Sequence, residues 1–338
     1  MFRSFFLARQ WQVWSWLGSV IILLATWYKV QLDLQVNEWF GDFYNTIQQA
    51  LSQSGTVTVE DLLGHLWVFG QISAIFIVVA VLLEFFVRHY VFRWRTAMHS
   101  YYMQHWDKVR HIEGASQRVQ EDTMRFAQIV ERLGVSFLRS IMTLLAFQPL
   151  LWELSKQVKE VPYFGEVEHV LIYVAIISAM FGTVLLAAIG VKLPGLEFNN
   201  QRAEASLRKE LVLGEDDSRR AKPQSMTELF VDVRTNYLTM YRHYLYFDLF
   251  KISYLQFSSI MPYIMLAPTI VAGIITFGTM QQIIRAFGKV EGSLHYLVFS
   301  WSTIVELMSV YKRLKAFEQL IEQPQPLDEN IVNQPSAL

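Results

Sequence analysis

The sequence predicts an all-α integral membrane protein with six transmembrane helices, and three observations carry that prediction. Only 17% of the 338 residues are charged and 53% are hydrophobic, whereas soluble globular proteins carry about 25% charged residues. Six long runs are nearly free of charge, each near the roughly 20 residues that a ~30 Å hydrocarbon layer requires at 1.5 Å of helical rise. The basic residues are also divided unequally between alternate loops, as membrane orientation demands. Six such runs folded as core helices of a soluble chain would leave too little polar surface to cover them.

The first span, 14–36, is uncharged from Trp14 to Tyr28 and follows Trp11 with no small-residue cleavage site, so it is expected to be retained rather than removed as a signal peptide. The second, 62–87, carries only Glu84. Residues 88–131 are charged but poor in Gly and Pro, which predicts a helix prolonged below the membrane. The third span, 132–154, is interrupted by Arg139, and the fourth, 169–191, is uncharged from Val170 to Val191. A second helical prolongation occupies 192–243, and each pair of prolongations is expected to be joined by a short lateral helix. Pro223 and the polar run Gly214 to Ser225 mark a turn. The fifth span, 244–275, has Asp248 and Lys251 near its start, and the sixth, 280–311, has an apolar run from Leu294 to Tyr311 that carries Glu306. The few residues around Thr276 to Gly278 make these two a tight hairpin. Residues 1–320 read as a single transporter domain, and 321–338, with Pro324, Pro326 and Pro335, as a flexible cytoplasmic tail.

Charge sets orientation and excludes some functions. Of 29 Lys and Arg, 22 fall between Arg88 and Arg132, between Lys192 and Arg242, in the N-terminal decapeptide and in Lys312 to Lys315. This bias places both termini and both prolongations in the cytoplasm. A net charge of −1 gives no electrostatic case for nucleic acid as a partner. Zero cysteines exclude disulfides, thiolate catalysis and thiolate metal sites. His99, His105 and His111, at spacings of 6, scatter around a helix and do not form a metal set.

The strings His89-Tyr-Val-Phe-Arg-Trp-Arg-Thr-Ala-Met98, Arg110-His-Ile-Glu-Gly-Ala115 and Gln117-Arg-Val-Gln-Glu-Asp-Thr-Met-Arg-Phe-Ala127 closely resemble the SbmA/BacA family of bacterial peptide transporters. So do Lys192-Leu-Pro-Gly-Leu-Glu-Phe198, Arg208-Lys-Glu-Leu-Val212, Gly214-Glu-Asp-Asp217, Pro268-Thr-Ile-Val-Ala-Gly273 and Val305-Glu-Leu-Met-Ser-Val-Tyr-Lys-Arg-Leu314. The resemblance extends over about residues 10 to 318. It implies an inner-membrane homodimer with the transmembrane fold of an ABC exporter and no ATPase domain. It also implies import of peptides and peptide-like antibiotics, including proline-rich antimicrobial peptides and microcins, driven by the proton gradient. Family chains typically carry extra hydrophobic helices before the position matching Arg9, which this sequence lacks. A phosphate-binding loop GxxxxGK[ST] is absent; Phe287-Gly-Lys-Val-Glu-Gly-Ser293 has neither the first Gly nor the Ser/Thr in place. The expectation is a transporter rather than an enzyme, with no cofactor and with protons as coupling ion. An ATP-driven transporter of peptides or lipids using a separate ATPase chain is the alternative, and a non-transporting envelope protein is a third reading.

Proton coupling needs carboxylates partly withdrawn from water. Glu197, Glu204 and Glu215, spaced by 7 and 11, return to one helical face if the helix continues past Gly214. Glu113 and Glu131, 18 apart, share another face, with Glu121 some way round it. The resemblance points to Glu131, Glu204 and Glu215, with Glu121, Glu197 and Glu210 next, as a proton relay. The competing reading pairs these glutamates with Arg110, Arg118, Arg125, Arg202, Arg208 or Lys209 on solvated faces. In the outer loops, Asp33, Glu38, Asp42, Glu60 and Asp61 would steer cationic peptides. Trp39, Phe40, Phe43 and Tyr44 would stack on their prolines or arginines, unless they simply anchor the membrane interface. Glu153, Glu160, Glu166 and Glu168 make the second outer loop acidic, and Glu306 with Arg285 and Lys289 is either a buried pair or a gate.

Overall fold

Helix α1 runs unbroken from Gln12 to Ser52 and α2 from Val59 to Gln104 in the computed structural model, which describes residues 1–112, 114–158, 160–161, 165–217 and 219–322. Glu113, Lys159 and the tail from 323 onward lie outside these residues, as do the side chains of Glu160 and Glu166. The expected first outer loop is therefore mostly helix, because polarity alone does not end one and residues 37–51 contain no proline. The actual connection is 53–58, with Gly55 at φ +82°. Thr58 and Asp61 close it with a reciprocal cap: the Thr58 N–H donates to the Asp61 carboxylate at 2.9 Å and the Asp61 N–H to Thr58 Oγ1 at 3.2 Å.

Short helices α3, Trp106–Val109, and α4, Ala115–Gln117, with a π-helical turn Arg118–Asp122, form the lateral connection to α5, Thr123–Ser155. A two-residue hairpin, β1 Glu160–Val161 against β2 Gly165–Glu166, interrupts the otherwise helical chain. Then come α6, Val170–Gly190, and α7, Leu193–Asp216. The second lateral helix is not seen among the described residues: α7 gives way across residues 217–222 to α8, Pro223–Val271, with Pro223 in the first turn, where its missing N–H costs nothing. At 49 residues, α8 is ~73 Å long, more than twice the hydrocarbon thickness. Residues 272–276, with Gly273 at φ +65°, lead into α9, Phe277–Phe299, and α10, Trp301–Glu322. The sixth expected span is thus two helices meeting at Ser300.

Among the described residues, five helical stretches are long and apolar enough to cross a membrane: 12–52, 59–104, 115–155, 170–216 and 223–271. In 59–104 only 6% of the most apolar window is buried, and Leu66, Trp67, Val81, Leu82 and Phe85 are exposed, as expected of side chains facing lipid rather than water.

The chain divides into two compact units. The first comprises residues 1–27, 78–138 and 303 onward. Its core is aromatic: Phe5 stacks on Trp94 at 5.7 Å, Phe126 meets Trp94 edge-on at 5.4 Å, and Tyr102 packs against Phe317. The second comprises 28–77 and 139–302. Val30, Phe147, Leu171, Leu266, Ile283 and Phe287 bring α1, α5, α6, α8 and α9 together there.

Candidate functional site

Helix α7 continues through Gly214, so Glu197, Glu204, Glu210 and Glu215 all lie on one helix, and the spacings of 7 and 11 place three of them on one face. Glu210 points elsewhere and is held by Arg220 Nη1 and the Ala221 N–H, each at 3.2 Å. Glu197 accepts only a long bond from Gln201 Nε2 at 3.5 Å. Glu204 is half-buried and Glu215 exposed, and among the described residues neither has a cation within ion-pairing distance, unlike their neighbour Glu210.

In the first unit Glu121 and Glu131 both form ion pairs, the first with one of the arginines expected for it and the second with Arg88, which was not. Glu131 faces Arg88 at 3.6 Å. Glu121 accepts from Gln117 at 3.1 Å and from Arg125 at 2.9 Å, and Arg125 also reaches Glu306 at 3.7 Å. Arg285 and Lys289, which the sequence set beside Glu306, belong to the second unit. Those two cations instead converge on Asp33, Arg285 at 3.3 Å and Lys289 at 2.9 Å. Asp122, beside Glu121 in sequence, is buried and takes Arg313 at 2.7 Å and Arg118 at 2.8 Å. Burial raises its carboxyl, but the hydrogen bonds from the two arginines outweigh that and hold it below the usual carboxylate range.

The expected substrate-facing residues fare unevenly. Asp33 is neutralised within the second unit. Trp39 is buried, lies between Phe43 at 4.6 Å and Phe69 at 4.7 Å, and donates its indole N–H to the His65 carbonyl at 2.7 Å. It is a packing residue rather than an open platform. Tyr44 leans on Phe40 and meets Phe277 edge-on. Glu38 and Asp42 are exposed on α1.

One constellation was not anticipated. Ser178 and Gly182 of α6, Tyr254 and Ser258 of α8, and Glu291 and His295 of α9 are three pairs at i, i+4, each on one face of its helix. They meet at Glu291, which is buried. Ser178 Oγ donates to Glu291 Oε1 at 2.8 Å, Tyr254 Oη at 3.4 Å, and Ser258 Oγ also donates to it. His295 Nε2 lies 2.6 Å from Tyr254 Oη. A Cβ at Gly182 would sit 2.6 Å from Tyr254 Oη, so only glycine lets the phenol cross α6. The sequence signal was a second acid, besides Glu306, in the expected sixth span.

Apolar helices of membrane-crossing length with acids held among them define an integral membrane protein. The family model of the SbmA/BacA-like family matches residues 8–322, so the chain belongs to that family of membrane transporters. It is 25% identical over 326 residues to the inner membrane ABC transporter ATP-binding protein YddA of Escherichia coli, covering 90% of this chain and 57% of that protein. It is 23% identical to an uncharacterized ABC transporter ATP-binding protein of Synechocystis, covering 94% and 48%. With the chloroplastic ABC transporter D family member 2 of Arabidopsis thaliana it shares 24%, covering 72% and 34%. The chain spans about half the length of the first two of these relatives.

Proposed function

We propose that the protein imports peptides and peptide-like antibiotics, such as proline-rich antimicrobial peptides and microcins, across the bacterial inner membrane at the expense of the proton gradient. It works as a homodimer by alternating access, with both termini cytoplasmic, and is a transporter rather than an enzyme, needing no cofactor beyond the coupling proton. Family membership over residues 8–322 carries this reading. Glu204 and Glu215 support it, because they share one face of α7 and, among the described residues, neither is committed to a cation. Protonating the α7 carboxylates would relieve their mutual repulsion and let one side of the cavity close as the other opens. Glu121 and Glu131, held by arginines, would serve as relay members whose partners exchange during transport.

A second reading is ATP-driven transport of peptides or lipids with a separate ATPase chain; two of the relatives are named ATP-binding proteins. The two separate in cells that carry or lack the gene and are given a labelled proline-rich peptide. Gene-dependent uptake that collapses with a protonophore and persists when ATP is depleted supports proton coupling. Uptake that follows ATP supports the second reading, and absence of gene-dependent uptake removes peptide import.

A further inference from the structure

We propose that Glu291, with Ser178, Ser258, Tyr254 and His295, forms a proton-binding site separate from the α7 carboxylates. Only its use in transport rests on the proton-driven reading above; its chemistry does not.

The argument begins with what surrounds the carboxylate. Glu291 is buried, as are Ser178, Ser258, Tyr254 and His295, and its partners Ser178, Ser258 and Tyr254 are all hydroxyls. An arginine or lysine partner fixes a carboxylate in its ionised form, as Arg285 and Lys289 do for Asp33. A hydroxyl both donates and accepts. It can donate to an ionised Glu291 and, after rotating, accept from a protonated one, so the site satisfies both charge states without moving backbone.

Among the described residues no cation forms an ion pair with Glu291. From α6 the facing polar groups are the Ser178 hydroxyl and carbonyl. From α8 they are Tyr254 and Ser258, while Lys251, one turn before Tyr254, pairs with Asp248 at 3.6 Å. From α9 there is His295, and Arg285 and Lys289 turn to Asp33. A carboxylate buried without a paired cation is costly to keep ionised, even with hydroxyl donors around it.

A path for the proton is also present. Tyr254 Oη lies 2.9 Å from the Ser178 carbonyl, 3.3 Å from Ser178 Oγ and 3.4 Å from Glu291 Oε1, and His295, in the tautomer that carries its proton on Nε2, donates to it at 2.6 Å. A proton arriving at His295 Nδ1 allows Nε2 to pass its own proton to Tyr254 Oη as the phenol proton moves to Glu291 Oε1. Histidine and tyrosine finish neutral and Glu291 finishes as the carboxylic acid, so charge and protons balance.

Infrared difference spectroscopy of the full-length protein in lipid nanodiscs, between alkaline and acidic pH, tests the site directly. A protonated-carboxyl band should appear on acidification, be lost in Glu291→Gln and be retained in Glu204→Gln. Tyr254→Phe and His295→Gln should keep the band but move its midpoint by about one pH unit, a tenfold change in proton affinity; these two variants carry the test if Glu291→Gln does not fold. A spectrum unchanged in Glu291→Gln, or midpoints unmoved in both conservative variants, overturns the proposal. A Glu291 band that titrates in a protein whose uptake ignores the proton gradient would leave the site standing and remove proton-driven transport. Gradient-driven uptake with no Glu291 band would do the reverse.

Discussion

Asp33, Asp122 and Glu291 are acids withdrawn from water, and each is compensated differently. Asp33 has two cations from α9 and Asp122 has two arginines, whereas Glu291 has hydroxyls. Asp122 is the structural member of the three, tying the turn before α5 to α10 through Arg313. Its folded pKa is depressed, so its contribution to stability is present above the unfolded value and is lost as pH falls through the folded one. Asp122→Asn should therefore destabilise the protein by about 2 kcal/mol at neutral pH, read as a lower melting temperature in detergent; the cost is no larger because both arginines keep some access to water. The variant's deficit should shrink as pH falls below about 4, where the unfolded chain's acid is protonated, and disappear once the folded acid takes up its proton as well. Equal melting at neutral pH would show that the cluster is not structural. The α7 acids were legible from spacing alone, since 7 and 11 residues return to one face on any helix. Glu291 was not, because its partners are small hydroxyls on α6 and α8, and no local pattern links Ser178 to Ser258 and Glu291.

Helix identity was mostly legible, and helix length was not. Apolar runs marked α1, α2, α5, α6 and α8, but the polar stretch after Val36 read as loop although nothing in it breaks a helix. The sixth span failed to form one helix for a related reason. Arg285, Lys289 and Glu291 shorten its apolar window, and a break at Ser300 separates α9 from α10. Crossing of α6 and α8 depends on Gly182, whose missing Cβ admits the Tyr254 ring. Gly182→Ala should cost about 1–3 kcal/mol by overpacking. It should also displace the Tyr254 hydroxyl from His295, seen as a fall in melting temperature together with altered tyrosine absorbance. Normal stability and an unchanged tyrosine signal would show that α6 has room to shift.

Across the chain as a whole, the near-zero net charge conceals a division in which 22 of 29 basic residues fall in one set of loops. That division predicts the connection between α5 and α6 outside and the turn between α7 and α8 inside. The absence of cysteine allows a clean check. In intact cells a membrane-impermeant maleimide should label Gln157→Cys, and it should reach Ser225→Cys only after permeabilisation. The reverse pattern would invert the topology and, with it, the direction of transport.

Proton coupling itself is tested by purified protein reconstituted into liposomes with a labelled proline-rich peptide outside and no ATP. Imposing an inward proton gradient should drive uptake at once, a protonophore should stop it, and Glu204→Gln should abolish it while inserting and dimerising normally. Uptake that proceeds equally without the gradient, or that Glu204→Gln leaves unchanged, would contradict a proton-driven importer using the α7 carboxylates.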